Sequence, residues 1–273
     1  MWLSRPFAPR SGRPRTKIEA LDDLPGVALV DSDHLSDDLV VGRRMRSVGG
    51  QARATLAVAC RSRNRSLRRA RESSHASVAS RLDALTQLIE PFVSAKANPM
   101  TDAICREGIR HAARSLRGAY HNGSDKSARE SMSLASLFGG MALANAALGA
   151  VHGFAGPLGG MIHAPHGELC ARLLPLVMEA NIKALQERQP ENIALQRYVE
   201  IAQIVTENKN AIAEDGVKWV SDLVDELKIP SLSTHGMNES HIPEAVQKTL
   251  NANSFKGNPI ALNEEEFACL HGH

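Results

Sequence analysis

Residues 128–180 read ARESMSLASLFGGMALANAALGAVHGFAGPLGGMIHAPHGELCARLLPLVMEA, and this stretch decides the fold. Its Ala- and Gly-rich first half predicts a long helix whose neighbours approach closely, because small side chains let two backbones come near each other. The glycines and prolines between residues 156 and 167 predict a loop that interrupts the helix. His152 is then expected to end the first helix and His166 to begin the next, so two histidines would lie together at the mouth of a helical core.

Helical periodicity extends to both sides of this stretch from residue 80 onward. Apolar residues recur at helical spacings from Leu82 to Phe92 and from Asp102 to Arg117, and Thr101 is the expected N-cap of the second helix. Ser124 or Asp125 is expected to cap the long helix. Further helices are predicted over residues 168–185, 191–208, 212–227, 243–251 and 264–270. Strand signals are nearly absent, so residues 81–273 predict an all-α domain packed around the Gly- and Ala-rich helix.

Composition agrees with a helical core and predicts neither a membrane span nor a disulfide framework. Hydrophobic residues make up 43% of the 273 residues but aromatic residues only 4%, so the core must consist mainly of aliphatic side chains. Because no run of eighteen uninterrupted apolar residues occurs, no membrane span is predicted. The cysteines form no CxxC pair, which indicates reduced thiols in the cytoplasm, and Cys170 is interpreted as an inert core thiol.

Residues 1–80 differ from the rest of the chain. They are basic and rich in Arg and Ser, they contain a short predicted strand at 27–30, and they lack the apolar core of a secretory signal. The arginines between residues 61 and 71 could contact nucleic acid, but no aromatic residues alternate with them, which favours a solvated linker. A shifted reading frame is a third explanation. We therefore expect a poorly ordered, irregular segment and no nucleic-acid partner.

Four blocks of the sequence resemble one known family. They are LDALTQLIEPFVSAKANPMTDAICREGIRHAARSL (82–116), ALANAALGAVHGFAGPLGG (142–160), APHGELCARLLPLVMEANIKAL (164–185) and NSFKGNPIALNEEEF (253–267). In order and spacing they are similar to the C-terminal helical domain of the iron-containing (group III) alcohol dehydrogenases. That family includes maleylacetate reductases and is related in fold to dehydroquinate synthases. The resemblance weakens upstream of Leu82, where the short strand would be a remnant of the family's nucleotide-binding domain.

The resemblance implies a metal site. In the family, an Asp and a His one helical turn apart ligate divalent iron or zinc together with two further histidines. Carried over position by position, Asp83, His152 and His166 match three ligands, and Gln87 stands where the family usually has the fourth, a His. Because an amide oxygen is a poorer ligand for iron or zinc than imidazole, we expect a weakened site for Fe²⁺ or Zn²⁺.

The resemblance also implies NAD(P)-dependent oxidation of alcohols or reduction of aldehydes and ketones, or a maleylacetate reductase-like reaction, in a cytoplasmic enzyme that is possibly a homodimer. Gly156 replaces a histidine that lies near nicotinamide in the family; His163 is a candidate substitute, and no catalytic residue is assigned.

The family binds NAD(P) through an N-terminal α/β domain with a GGGS-type turn. No such turn follows a strand in these residues, so ordinary NAD(P) affinity is not expected, and a noncatalytic helical module or truncated gene remnant stays the alternative.

Overall fold

A computed structural model describes residues 74–263 and 265–267 of the chain. The irregular segment predicted for residues 1–80, including its strand at 27–30, lies almost entirely outside the described residues. Most of the helix predicted over 264–270 does so as well. Within the described residues the all-α prediction is confirmed, because no strand occurs there.

Eight α-helices and three short 3₁₀ turns follow one another in this part of the chain. The α-helices are α1 (Ser74–Val93), α2 (Pro99–His121), α3 (Lys126–Ala146), α4 (Ala150–Ile162), α5 (His166–Arg188), α6 (Ile193–Thr206), α7 (Ala213–Glu226) and α8 (Ile242–Leu250). The 3₁₀ turns are Leu232–His235, Glu239–His241 and Ser254–Gly257. None of the helices is, by itself, both long and apolar enough to cross a membrane; only the sharply bent pair α3 and α4, taken together, meets that length and composition.

Helix α1 lies at the centre of the packing. It contacts α2, α3, α5 and α6, whereas the Gly- and Ala-rich α3 packs mainly on α1 and α2. The prediction that the other helices surround α3 was therefore wrong. Helix α1 takes the centre because its apolar stripe, which the periodicity predicted, is wide and fully buried: Leu82, Leu85, Leu88, Ile89 and Phe92 are each at most 1% exposed.

Two glycines permit the close packing around α1. A Cβ atom on Gly139 of α3 would lie 3.1 Å from the Cβ atom of Gln87 and 3.3 Å from the carbonyl oxygen of Ala84. A Cβ atom on Gly108 of α2 would lie 2.3 Å from a methyl carbon of Leu88. Small residues thus bring α3 and α2 close to α1, as the sequence indicated for the Gly139 region.

The helix starts follow local capping chemistry, with one correction. Asp125 caps α3 as expected, since its side chain accepts a hydrogen bond from the backbone N–H of Ala128. Helix α2, however, begins at Pro99 with Asn98 as its N-cap, and Thr101 is the third helical residue. Thr101 returns a hydrogen bond by accepting from the Asn98 N–H, so the two side chains form a capping box.

The chain turns at residues 147–149, before the interruption that was predicted between residues 156 and 167. Helix α3 ends at Ala146, α4 begins at Ala150, and the two axes meet at 101°. Of the residues that predicted a loop, Pro157, Gly159 and Gly160 lie inside α4. Pro157 cannot donate to the carbonyl oxygen of Gly153; the hydroxyl of Thr249 on α8 lies 3.2 Å from that oxygen and shares its proton between it and the carbonyl oxygen of Ala245, at 2.8 Å. The predicted loop is confined to residues 163–165, between α4 and α5, and it is shorter than expected because a hydroxyl distant in sequence lies near the carbonyl group that Pro157 leaves free.

Candidate metal centre

Three helices, α1, α4 and α5, bring the predicted ligands together. Helix α1 carries Asp83 and Gln87 one turn apart, α4 carries His152 in its first turn, and His166 is the first residue of α5. His152 was expected at the end of a long helix. It lies instead at the beginning of a new one, because the chain has already turned before Ala150.

The ligand atoms of four side chains converge on one point. Asp83 Oδ1 lies 3.2 Å from His152 Nε2 and 3.9 Å from His166 Nε2. The fourth member is Cys170, whose Sγ lies 3.5 Å from His166 Nε2 and 3.9 Å from His152 Nε2. One ligand atom from each of the four lies within 4.8 Å of all the others. Carboxylate, imidazole and thiol are groups that bind iron or zinc.

A carboxylate on α1 orients His152 from the other side of the ring. Glu90 Oε2 lies 2.6 Å from His152 Nδ1, and the side chains of both residues are nearly buried, at 5% and 7% exposed. A carboxylate that accepts a hydrogen bond from Nδ1 leaves Nε2 to face the cluster. This arrangement, a metal-ligating histidine with its other nitrogen bound to a carboxylate, is common in metal sites.

The first turn of α4 is held by side chains from distant parts of the chain. Glu90 Oε1 accepts a 2.7 Å hydrogen bond from the backbone N–H of Val151, and Asn258 Oδ1 accepts one from the N–H of Ala150. These bonds satisfy backbone donors that have no partner within the helix. Glu90 therefore fixes both the backbone and the ring of the segment that presents His152.

Charge–charge contacts shift the pKa values of His152 and Asp83. Burial favours the neutral ring of His152, but the neighbouring carboxylates of Glu90 and Asp83 raise the pKa of this histidine well above its ordinary value. Burial would also raise the pKa of Asp83, yet the hydrogen bond and charge of His152 lower it overall. Asp83 is thus an anion at neutral pH, as a carboxylate ligand must be.

His166 and Cys170 have a different electrostatic environment. Burial and the nearby His152 lower the pKa of His166, although Asp83 acts in the opposite direction, so its ring is neutral and its Nε2 can bind a metal. Burial raises the pKa of the Cys170 thiol to about 12. The His166 side chain is 52% exposed, which opens the cluster to solvent at this one residue among the four.

Gln87 lies beside the cluster with its amide nitrogen turned towards Asp83. Its Nε2 atom donates a 2.9 Å hydrogen bond to Asp83 Oδ2, so Asp83 Oδ1 is the oxygen that faces the two histidines. The position agrees with the predicted spacing of one helical turn. In this orientation Gln87 acts on the cluster through Asp83, and its role as a direct ligand stays a prediction.

Two members of the centre, Cys170 and Glu90, were not predicted from the sequence. Cys170 was interpreted as an inert core thiol because it lies among the buried leucines of α5, and it is indeed fully buried. A signal was available, since Cys170 follows His166 by four residues and therefore shares its helix face. Glu90 was not singled out, and its distance of 62 positions from His152 left no local pattern to find.

Gly156, which replaces a histidine of the family, and His163, its candidate substitute, are both exposed. Gly156 lies on the surface of α4, and a Cβ atom there would have open space around it. His163 is exposed at the C-cap of α4, in the left-handed region with φ of 53°. Its role as a substitute proton-transfer group stays a prediction.

Comparisons with known proteins agree with the geometry. The model of the Fe-containing alcohol dehydrogenase family, C-terminal, matches residues 77–271. The 1,3-propanediol dehydrogenase of Klebsiella pneumoniae is 37% identical over 195 residues, which cover 69% of this chain and 48% of that protein. The crystal structure of a 1,3-propanediol oxidoreductase is 36% identical, with a TM-score of 0.66 over 73% of this chain and 52% of its own. A maleylacetate reductase from Rhizobium sp., 20% identical with a TM-score of 0.61 over 73% of this chain and 52% of its own, shares the fold.

The helical fold thus belongs to a known class of oxidoreductases. The chain is a member of the Fe-containing alcohol dehydrogenase family, of which it contains the C-terminal helical domain. It spans about half the length of the curated relatives that it matches.

Proposed function

We propose that this chain holds a divalent iron or zinc ion and forms the metal-binding part of an oxidoreductase that interconverts small alcohols and aldehydes or ketones with NAD(P). The observation that supports the proposal most directly is the convergence of Asp83 Oδ1, His152 Nε2 and His166 Nε2 at the meeting point of three helices. One carboxylate oxygen and two imidazole nitrogens are a donor set that suits either ion.

A divalent ion bound there supplies a Lewis acid that polarises the oxygen of an alcohol or carbonyl substrate. The chain's own residues prepare the centre for it. Glu90 binds Nδ1 of His152 and so directs Nε2 towards the ion. Gln87 binds one oxygen of Asp83 and directs the other towards the histidines, and we keep Gln87 as the fourth predicted member of the centre.

The substrate and cofactor classes in this proposal come from the family. Relatives that match over most of the described residues are dehydrogenases of 1,3-propanediol and of other alcohols, which favours a small alcohol or its aldehyde as substrate. NAD(P) enters by family alone. The likeness to maleylacetate reductase is one of fold and supports no particular substrate.

Metal retention tests the proposal. We expect the chain, after dialysis against metal-free buffer, to keep about one zinc or iron ion, and Asp83→Ala to lose it, because that variant removes the anionic ligand. Asp222→Ala is the control, since Asp222 is an exposed carboxylate paired with Lys218 on α7. Elemental analysis gives the metal content. Equal, negligible metal in all three proteins would refute the proposed centre.

Turnover is measured on the metal-loaded chain with NAD, NADP and a series of small alcohols and aldehydes. We expect neither saturable cofactor binding in calorimetry nor hydride transfer from these 273 residues alone, because their sequence has no GGGS-type phosphate turn. Turnover that vanishes in Asp83→Ala would contradict this expectation and reveal a cofactor site of another pattern. Metal without turnover agrees with a domain that supplies only part of an active site.

A further inference from the structure

We infer that Cys170 is a ligand of the metal centre, so that one carboxylate oxygen, two imidazole nitrogens and one sulfur surround the ion. This inference rests on the proposed function, because it requires an ion between Asp83, His152 and His166. It assigns a role to a thiol that the sequence pattern places among core residues.

Four of the six distances between ligand atoms lie within about 0.5 Å of those in a tetrahedral site. Zinc lies about 2.0–2.1 Å from a histidine nitrogen and about 2.3 Å from a cysteine sulfur, so tetrahedral angles give N···S separations of about 3.6 Å. Cys170 Sγ lies 3.5 Å from His166 Nε2 and 3.9 Å from His152 Nε2. The same geometry gives N···O separations of about 3.4 Å, and the two distances from Asp83 Oδ1 to the histidines are 3.2 and 3.9 Å.

The helix register explains why the sulfur faces the histidines. His166 and Cys170 are one turn apart at the beginning of α5, so their side chains share a face of that helix. The Gln87 amide occupies the remaining side of Asp83 and donates its N–H there. Cys170 is therefore the side chain that completes the set of four converging ligand atoms.

The binding step balances as an exchange of two protons for a metal ion. The Cys170 S–H bond and the His152 Nε2–H bond break, both protons pass to solvent or buffer, and the freed sulfur and nitrogen electron pairs form the bonds to the ion. No oxidant or reductant takes part. A thiolate is a soft ligand, so the centre should prefer zinc or cobalt to magnesium, which is bound by oxygen atoms.

Cobalt(II) is a suitable probe because a thiolate bound to cobalt gives a charge-transfer absorption in the near ultraviolet, which oxygen and nitrogen ligands lack. The full chain is compared with Cys170→Ala and with Cys105→Ala, the matched control. Cys105 on α2 is also a fully buried free cysteine, but it lies beside Asp102 and Arg197 rather than the histidines. Cys170→Ser preserves the shape of the side chain and replaces Cys170→Ala if circular dichroism shows that the alanine variant is unfolded.

We expect the near-ultraviolet absorption in the unmodified chain and in Cys105→Ala. In Cys170→Ala the absorption should be lost and the cobalt affinity should fall by at least about tenfold. Asp83→Ala, which keeps every cysteine, should lose the absorption too. If Cys170→Ala binds cobalt with an unchanged spectrum, the ligand role of Cys170 is refuted while the proposed centre stands. If the unmodified chain binds no cobalt at all, the centre and the inference fall together. An absorption that survives in Asp83→Ala would come from a cobalt site that does not require Asp83, and it would also overturn the inferred set of four ligands.

Discussion

Two clusters of polar side chains meet at the first turn of α4 and are built from different chemistry. In the first, Asn181 and Asn258 exchange amide hydrogen bonds of 2.7 and 3.2 Å, and both are at least 92% buried. Every donor in that pair is an amide, whose proton does not exchange for a metal. In the second, the metal centre, the contacts among Asp83, His152 and Cys170 depend on protons that an ion would displace.

The amide cluster ties distant parts of the chain into one structure. Asn258 also donates to the carbonyl oxygen of Ile260 and accepts from the N–H of Ala150, and Asn181 donates to the hydroxyl of Tyr198. Such a network is satisfied by the protein alone. A buried polar group therefore supports folding when its partners are permanent, and it can bind a ligand when its partners are replaceable.

The largest effect should follow from breaking the permanent cluster. Asn258→Ala leaves the Asn181 carbonyl oxygen, the Ala150 N–H and the Ile260 carbonyl oxygen without their partner, and unsatisfied buried groups cost about 1–3 kcal/mol each. We expect the free energy of unfolding to fall by about 3 kcal/mol or more, measured by urea denaturation. Metal content of the folded protein should stay unchanged.

Asn251→Ala is the control for this prediction, because the Asn251 side chain is exposed and donates only to the carbonyl oxygen of Gln247 in its own helix region. Its unfolding free energy should change by less than about 0.5 kcal/mol. If Asn258→Ala were as stable as this control but lost its metal, the division between a folding cluster and a ligand cluster would be wrong.

Glu90 connects the two clusters, and its conservative replacement separates their roles. In Glu90→Gln the carbonyl oxygen can still accept from the Val151 N–H, but the amide N–H₂ group then faces His152 Nδ1 and donates to it. The proton of the ring moves to Nε2, where it blocks metal binding. We expect a metal affinity about 10–100-fold lower, measured by competition with a chelating dye.

Glu200→Gln is the matched control, because Glu200 pairs with Arg106 on the surface between α2 and α6. It should leave metal affinity unchanged. A Glu90→Gln variant that bound metal as tightly as the unmodified chain would show that Glu90 serves the backbone of α4 and does not select the tautomer of His152.

The sequence predicted those parts of the structure that local pattern controls. The apolar stripe of α1 follows directly from its spacing, and Asp83, His152 and His166 follow from motifs that match a family residue by residue. The start of α4 was misplaced because its first backbone donors are satisfied by residues 61 and 108 positions away. The position of Cys170 was not predicted for a related reason: an apolar helix face indicates a core thiol, and only the fold shows that two histidines face it.

The smallest effect is expected at Gln87, where a substitution tests whether residue 87 binds the ion directly or only positions Asp83. Its Cβ atom lies against Gly139, so Gln87→His keeps the packing between α1 and α3 and exchanges the hydrogen bond to Asp83 for an imidazole one turn away. We expect zinc affinity to rise by about tenfold, which corresponds to about 1.4 kcal/mol. Zinc competition with a chelating dye measures the change, and circular dichroism controls for an intact fold.

The size of that rise depends on Cys170, and a double-mutant cycle makes the dependence measurable. If Cys170 already provides the fourth ligand, a histidine at position 87 competes with it in a four-coordinate site, and Gln87→His should help Cys170→Ala more than it helps the unmodified chain. If Cys170 does not bind the ion, the two substitutions should act independently, within about 0.5 kcal/mol. Equal affinities for the chain with and without Gln87→His, in both backgrounds, would mean that position 87 faces only Asp83. The replaceable cluster would then consist of Asp83, His152, His166 and Cys170 alone, with Gln87 as a permanent partner like the amides of the neighbouring cluster.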